Sequence, residues 1–397
     1  MVIVNWKYFS NLNWWYQLKK KFILIAVSLF YIAAVIIAAA AAGQVLDEKI
    51  PVIIGFRNSP DAEFVESLSG EIKYQYHSIP AIAAKVSRHS ISDLKNCPNV
   101  EYVEIDSEVC IEERSLLIPN EKAMWGLSRI EAGTVNESFK GSGVKVAVID
   151  TGIDYTHPDL AANYHGGYDF VNVDTDPMDD FGHGTHVAGT IAAADDGTGF
   201  IGVAPDASIY ALKALDSNGC GWASDINAAI DWAIVNEMDI VSMSLGGSTD
   251  FVSMRKLCQE ANDEGIVLVA ASGNGYGCSV SYPAAYGTVI AVSATSVIDN
   301  CASFSNIGEE VELSAPGVNI RSTAPGGGYD SKSGTSMAAP HVSGLAALLL
   351  SADNTLDTLE VRIILSSTST DLGDKGKDVY FGNGLINASA ALQAIRN

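Results

Sequence analysis

Residues Ser333 to Gly344 (SGTSMAAPHVSG) constrain this chain more than any other stretch, because a glycine turn passes directly into an alanine-rich helix. A helix begun at Ser336 aims its unpaired first N–H groups, and the positive end of its dipole, at whatever forms beside that hydroxyl. Pro340 fits only near the start of such a helix, where its missing N–H costs little. Small residues at Ala338, Ala339, Gly344, Ala346 and Ala347 allow close packing on a sheet ahead of Leu348-Leu349-Leu350. The expectation is a buried helix with a serine at its head. A serine there serves as a plain helix cap unless a base and an orienting carboxylate stand near it.

From Val144 onward, strand and helix patterns alternate, the signature of a parallel sheet with helices on its faces. Strands are predicted over 144–149, 208–215, 240–245, 266–272 and 288–294. Helices are predicted over 183–194, 224–236, 254–264, 356–365 and 388–395, besides the one that opens at Ser336. In such sheets functional groups gather at the carboxyl ends of the strands, where loops face a common crevice. Asp150 closes the first strand, Ser244-Leu245-Gly246 closes the third, and Asn274 follows the fourth. His183 opens a glycine-flanked helix in Gly182-His183-Gly184-Thr185-His186. Each residue alone reads equally as a turn, cap or structural residue; together they supply a nucleophile, a base, an orienting carboxylate and an amide donor.

Residues 47–113 form a different pattern, strand–helix–strand–strand–helix–strand, which predicts a small ferredoxin-like unit. A polar joint around Glu112-Glu113-Arg114, running to Pro119, would be open to cutting. Before this unit, Lys7, Lys19, Lys20 and Lys21 lead without any acid into the 21 apolar residues Phe22–Ala42. A signal peptide has an apolar core of about 7–15 residues and small residues at its end, whereas an anchor needs about 20. Both readings stay open, and either exports the rest of the chain. The formal net charge of -23 argues against nucleic acid as a partner.

Export makes the six cysteines permissive for disulfides. Cys97 and Cys110 precede the larger unit. Cys220, Cys258, Cys278 and Cys301 lie within it and admit three pairings among themselves, with free thiols as the alternative. No cysteine or histidine spacing suits structural zinc.

The motifs Val148-Ile149-Asp150-Thr151-Gly152, His183-Gly184-Thr185-His186-Val187-Ala188-Gly189 and Gly334-Thr335-Ser336-Met337-Ala338-Ala339-Pro340-His341 carry a specific resemblance. Residues from about 120 to 397 resemble a subtilisin-like serine protease, a subtilase, whose triad also runs Asp, His, Ser along the chain. The smaller unit resembles that family's propeptide, which assists folding and inhibits the enzyme until it is removed. The resemblance implies a three-layer α/β catalytic domain over 119–397, a propeptide over 44–118 and an export segment over 1–43. It implies Ser336 as nucleophile, His183 as general base, Asp150 as its orienting carboxylate, and an oxyanion held by the Asn274 side chain and the Ser336 backbone N–H. His186 is expected to be structural.

By the same resemblance, polypeptide substrate lies extended between Ser244-Leu245-Gly246 and Gly219-Cys220-Gly221, with Trp222 near a hydrophobic subsite. Gly275 and Ser281 stand where the primary pocket is set; neither is charged, so broad cleavage after apolar or large residues is expected. Calcium is the implied cofactor. Asp159 and the loop contributing Ala194, Asp196, Thr198 and Phe200 match the family's main site, with Glu121 as an extra ligand. Asp174, Asp176, Asp179 and Asp180 would hold a second ion or form a solvated loop. The implied enzyme is a secreted, self-processing monomer whose partners are its substrates and its own propeptide, touching membrane only through its first segment. The short stretch after Leu385 leaves substrate recognition to the catalytic unit. Two other readings are a peptide-binding scaffold that does not cut and a membrane-anchored processing protease.

Overall fold

The N-terminal unit buries one face of its sheet on its own helices and the other face on the larger domain. The computed structural model describes residues 48–111, 124–134 and 139–396. The export segment, the polar joint and Glu121 lie outside them. In the N-terminal unit, β1 (Lys49–Phe56), β2 (Glu71–Gln75), β3 (Ala81–Ser87) and β4 (Val100–Ile105) form an antiparallel sheet in the order β2-β3-β1-β4. Helices α1 (Ala62–Ser67) and α2 (Ser90–Asn96) cover one face. This is the expected ferredoxin-like plait. Alternation along β1 sends Val52 and Ile54 into the unit's own core with Val65 and Leu94. Ile53 faces the other way and joins the core of the larger domain, with Tyr76, Ala81 and Ala83.

One further strand is not foreshadowed by any sequence pattern: β5 (Glu108–Cys110) leaves the plait altogether and pairs with the larger domain. Beyond it, after the short helix α3 (Trp125–Arg129), that domain opens with β6 (Lys145–Asp150). Next are α4 (Pro158–Ala161), β7 (Tyr164–Asp169), α5 (His183–Ala192), β8 (Ser208–Lys213), β9 (Cys220–Trp222) and α6 (Ala223–Val235). Then come β10 (Ile240–Met243), α7 (Val252–Asp263), β11 (Val267–Ala271), β12 (Val289–Thr295) and β13 (Val311–Pro316). The chain continues through the hairpin β14 (Ile320–Ala324) and β15 (Gly328–Lys332) to α8 (Thr335–Ala352), α9 (Thr358–Ser367) and α10 (Ala388–Ile395).

Seven parallel strands order as β13-β12-β11-β10-β6-β8-β7. Helices α5 and α8 pack on one face; α6 and α7 pack on the other. Helix α8 is apolar enough in length and composition to cross a membrane, but here it is the buried core helix expected from its small residues. The register sets Met243 level with both Ile149 and Ala270, so the chain leaves β6, β10 and β11 at one height. The crevice therefore forms above three neighbouring strands.

The N-terminal unit also satisfies two helix ends. Neither Trp222 before α6 nor Phe251 before α7 offers a side-chain cap. Asp106 accepts from the Ser224 N–H at 2.9 Å, and Glu104 accepts from Val252 N–H at 2.9 Å and Ser253 N–H at 3.1 Å. Both carboxyls are pushed up by burial, against which these donors pull. Lys73 adds an ion pair to Asp225, which also accepts from the Tyr74 hydroxyl. Charged hydrogen bonds of this kind contribute about 1.5–3 kcal/mol. Glu104→Ala or Asp106→Ala should each lower the stability of the full chain by about 2 kcal/mol. Faster hydrogen exchange at the first turn of α7 or α6 respectively should accompany it. A denaturant midpoint unchanged in both variants would show that the caps contribute nothing.

Candidate active site

The end of β6 presents Asp150, and the helix that approaches it must come very close. At Gly184, in the first turn of α5, an added Cβ would lie 2.1 Å from the Gly152 carbonyl oxygen and 3.1 Å from Asp150 Cβ. Glycine at 184 thus lets α5 set His183 against Asp150. Nδ1 of His183 lies 2.8 and 2.9 Å from the two Asp150 carboxylate oxygens, and both residues are fully buried. The Thr151 N–H donates to Asp150 at 2.7 Å. With Nδ1 donating to the carboxylate, Nε2 is left as the basic nitrogen.

Ser336 enters in the first turn of α8. Its hydroxyl donates to the Ser244 carbonyl at 3.2 Å, and Ser244 Oγ donates back to the Ser336 carbonyl at 2.9 Å. Nε2 of His183 is buried without a hydrogen-bond partner among the described residues. The expected serine–histidine bond is thus not formed in this state. Rotation of one side chain about χ1 would redirect the hydroxyl, and catalytic hydrogen bonds commonly tighten only when substrate is bound.

Asn274 lies three residues beyond β11, beside the head of α8. Its Oδ1 accepts from the Thr335 N–H at 2.9 Å and the Thr335 hydroxyl at 3.0 Å. These two bonds fix the orientation of the amide. An added Cβ at Gly334 would stand 3.4 Å from Asn274 Nδ2. Thr335 is thus a positioning residue that sequence reasoning passes over, although it lies in the most constraining motif of the chain. Asn306 is missed as well. It accepts from the Gly275 N–H at 2.7 Å and donates to Ser281 Oγ at 3.3 Å, tying together the two residues expected to shape the primary pocket.

The edges expected to hold substrate are occupied by the chain itself. Strand β5 pairs antiparallel with β9 in the register Glu108↔Trp222, Val109↔Gly221 and Cys110↔Cys220. Cys110 also bridges Gly246 on the opposite side, and the Ile111 N–H donates to the Gly219 carbonyl at 2.8 Å. A three-stranded antiparallel arrangement results, with the tail of the N-terminal unit as its middle strand.

Two expectations are corrected here. Cys220 does not pair with Cys258, Cys278 or Cys301; it forms a disulfide with Cys110, because the tail lies in register beside β9. The expected second calcium cluster is not assembled. Asp179 accepts from Thr151 Oγ1, the N–H groups of Phe181, Gly182 and Thr185, and Thr185 Oγ1, so it shapes the turn into α5. Asp180 is ion-paired at 2.6 Å with Lys213, whose side chain is buried. Asp174 accepts from the Asp176 N–H, and Asp176 accepts from the Tyr155 hydroxyl. No group of three or more potential acidic, histidine or cysteine ligands occurs among the described residues.

The residues expected to hold the first calcium are placed differently. Asp159 is buried, and one carboxylate oxygen accepts from the Phe200 N–H and the Tyr329 hydroxyl, each at 2.8 Å. The other has no donor among the described residues. Asp196 closes its own turn by accepting from the Thr198 N–H and hydroxyl. A carboxylate oxygen left without a donor, beside a loop that offers further oxygen atoms, fits Ca²⁺.

Two further histidines are fully buried, each against a backbone carbonyl. His186 lies 2.9 Å from the Ile320 carbonyl and His341 2.8 Å from the Met337 carbonyl. Burial lowers them from 6.5 to about 3 and about 4. Each is neutral when folded but takes up a proton below about pH 6.5 when unfolded. Their stabilising contribution is complete above that pH and is lost as pH falls toward 4 and 3. At pH 5 the loss should be about 2 kcal/mol for each. His341→Gln should remove about half of it in denaturant melts at pH 7.5 and 5; an unaltered pH slope would refute the assignment.

Acyl transfer from a serine is the chemistry this grouping can perform, and comparison with known proteins agrees: the chain is a serine endopeptidase. Residues 141–384 match the Subtilase family and residues 44–90 match the Tk-SP N-propeptide domain. The chain is 44% identical over 365 residues to subtilisin NAT of Bacillus subtilis subsp. natto, covering 89% of this chain and 92% of that protein. Subtilisin E of Bacillus subtilis (strain 168) matches to the same extent. Subtilisin of Bacillus pumilus is 49% identical over 275 residues, covering 68% of this chain and 98% of that protein. The chain belongs to the subtilase family and carries an N-terminal propeptide domain.

Proposed function

We propose that this protein is an exported, calcium-binding endopeptidase that matures by cutting itself, with Ser336, His183 and Asp150 as its triad. The observation that carries the reading is the buried Asp150–His183 pair beside the helix headed by Ser336, with Asn274 already oriented by Thr335. Ser336 Oγ attacks a peptide carbonyl while His183 Nε2 takes its proton, and Asp150 holds the imidazole tautomer and steadies the imidazolium. The Asn274 amide and the Ser336 N–H receive the oxyanion. His183 then gives its proton to the leaving amine, and water releases the acyl group by the reverse sequence.

Substrate lies as an added strand between Gly219-Cys220-Gly221 and Ser244-Leu245-Gly246, in the place the propeptide tail now fills. Trp222, 39% exposed, offers an apolar contact at the outer end of that strand. Gly275 and Ser281 leave the primary pocket uncharged, which favours apolar or large residues. The propeptide, domain 44–118, acts as the intramolecular inhibitor of domain 119–397. Residues 1–43 direct export, and the enzyme works as a monomer.

Hydrolysis of casein and of a peptide library by the mature enzyme tests this, together with a sulfonyl fluoride that sulfonylates Ser336 with loss of HF. Cleavage after apolar residues and loss of activity on labelling are expected. A profile dominated by dibasic sites would refute the specificity, and labelling without loss of activity would refute the nucleophile. Asp159, with Ala194, Asp196, Thr198 and Phe200, would hold the calcium, whose role there is to clamp the loop. Chelation should lower the unfolding temperature by several degrees, since a ligand at 100 times its Kd adds about 2.7 kcal/mol. An unchanged melting curve would remove calcium from the account.

A further inference from the structure

We propose that the Cys110–Cys220 disulfide is a thiol-sensitive lock that keeps the propeptide tail in the substrate cleft after the chain has been cut. Cys110 belongs to the propeptide's last described strand and Cys220 to the substrate edge, and the bond joins positions 110 residues apart in sequence. The two cysteines stand directly opposite each other in the β5–β9 register, and Cys110 also bridges Gly246 across the cleft. The linkage therefore pins the segment that blocks both substrate edges. The cuttable joint, Glu112 to Pro119, comes after Cys110 in sequence. A cut anywhere within it leaves Cys110 on the propeptide fragment, bonded to the enzyme. Both cysteines are partly exposed, so a small reductant can reach the bond.

Peptide-bond hydrolysis alone then yields a processed but latent enzyme. A dithiol is enough to release the tail. One thiolate attacks a sulfur of the disulfide, forming a mixed disulfide and expelling the other cysteine as a thiol. The second thiol of the reductant then displaces the remaining cysteine. The cystine gains two electrons and two protons, and the dithiol leaves as a cyclic disulfide. A covalently held tail has a local concentration on the order of millimolar, so even micromolar affinity would keep it bound about 10³-fold over free.

This inference rests on the peptidase reading, and the test separates the two. In the full-length Ser336→Ala chain, digestion without reductant followed by mass spectrometry should yield a Cys110–Cys220 linked peptide; its absence overturns the lock whatever the activity. Processed wild type should run as one species without dithiothreitol and as two with it. Its activity on a small chromogenic peptide, assayed at high dilution, should rise about 10³-fold on reduction. Cys110→Ser should be active without reductant and indifferent to it. Wild type that is fully active while oxidised overturns the lock and leaves the peptidase reading standing. Wild type and Cys110→Ser that are both inactive, with and without reductant, overturn the peptidase reading and the lock with it; active reduced wild type beside an inactive Cys110→Ser overturns the lock alone.

Discussion

His183→Ala is expected to reduce kcat by about 10⁶, a figure measured on subtilisin itself for loss of its serine or histidine. The size reflects how the groups depend on each other. Ser336 Oγ donates to a carbonyl in the resting structure, so it gains nucleophilicity only when a base takes its proton. Asp150 engages His183 Nδ1, and His183 Nε2 is buried without a partner among the described residues, which leaves it to act as that base. Loss of the base should abolish self-processing as well, leaving the full-length mass. A folded His183→Ala chain that retains a tenth of wild-type kcat would show that another group deprotonates Ser336.

Replacement of Asn274 by Ala should lower kcat by about 10²–10³ with little change in KM, again on the scale measured for the corresponding donor in subtilisin. The oxyanion exists only in the transition state, so its donor stabilises that state and not the bound substrate. Asn274→Asp provides the control. It conserves volume yet replaces the NH2 donor with an oxygen acceptor, and it should be at least as damaging. A rise in KM at unchanged kcat would assign Asn274 to ground-state binding.

Much of this site is legible in the sequence because its residues sit at positions that the fold makes equivalent. Asp150, Ser244 and Asn274 lie at or just beyond the ends of strands that are neighbours in the sheet, and apolar runs bounded by glycine reveal strand ends well. The alanine pattern of α8 likewise announces a buried helix. Strand β7, Tyr164–Asp169, escapes notice because as an edge strand rich in glycine and polar residues it lacks an apolar run. The hairpin β14–β15 is similarly polar.

Thr335 and Asn306 act through hydrogen bonds that join loops distant in sequence, and no local pattern marks such partners. Asp174, Asp176, Asp179 and Asp180 mislead for the opposite reason: closeness in sequence suggests a shared ion, but Lys213 and the turn into α5 claim two of them. The Cys110–Cys220 bond cannot be read from sequence because it depends on a three-residue strand that pairs outside its own unit.

The most direct test of self-processing is the intact mass of residues 44–397, produced with calcium and measured under reducing conditions, for wild type and Ser336→Ala. Wild type should separate into a propeptide fragment and a mature enzyme, with the cut within Glu112 to Pro119, while Ser336→Ala stays whole. A Ser336→Ala chain cut at the same place as wild type would contradict self-processing by Ser336.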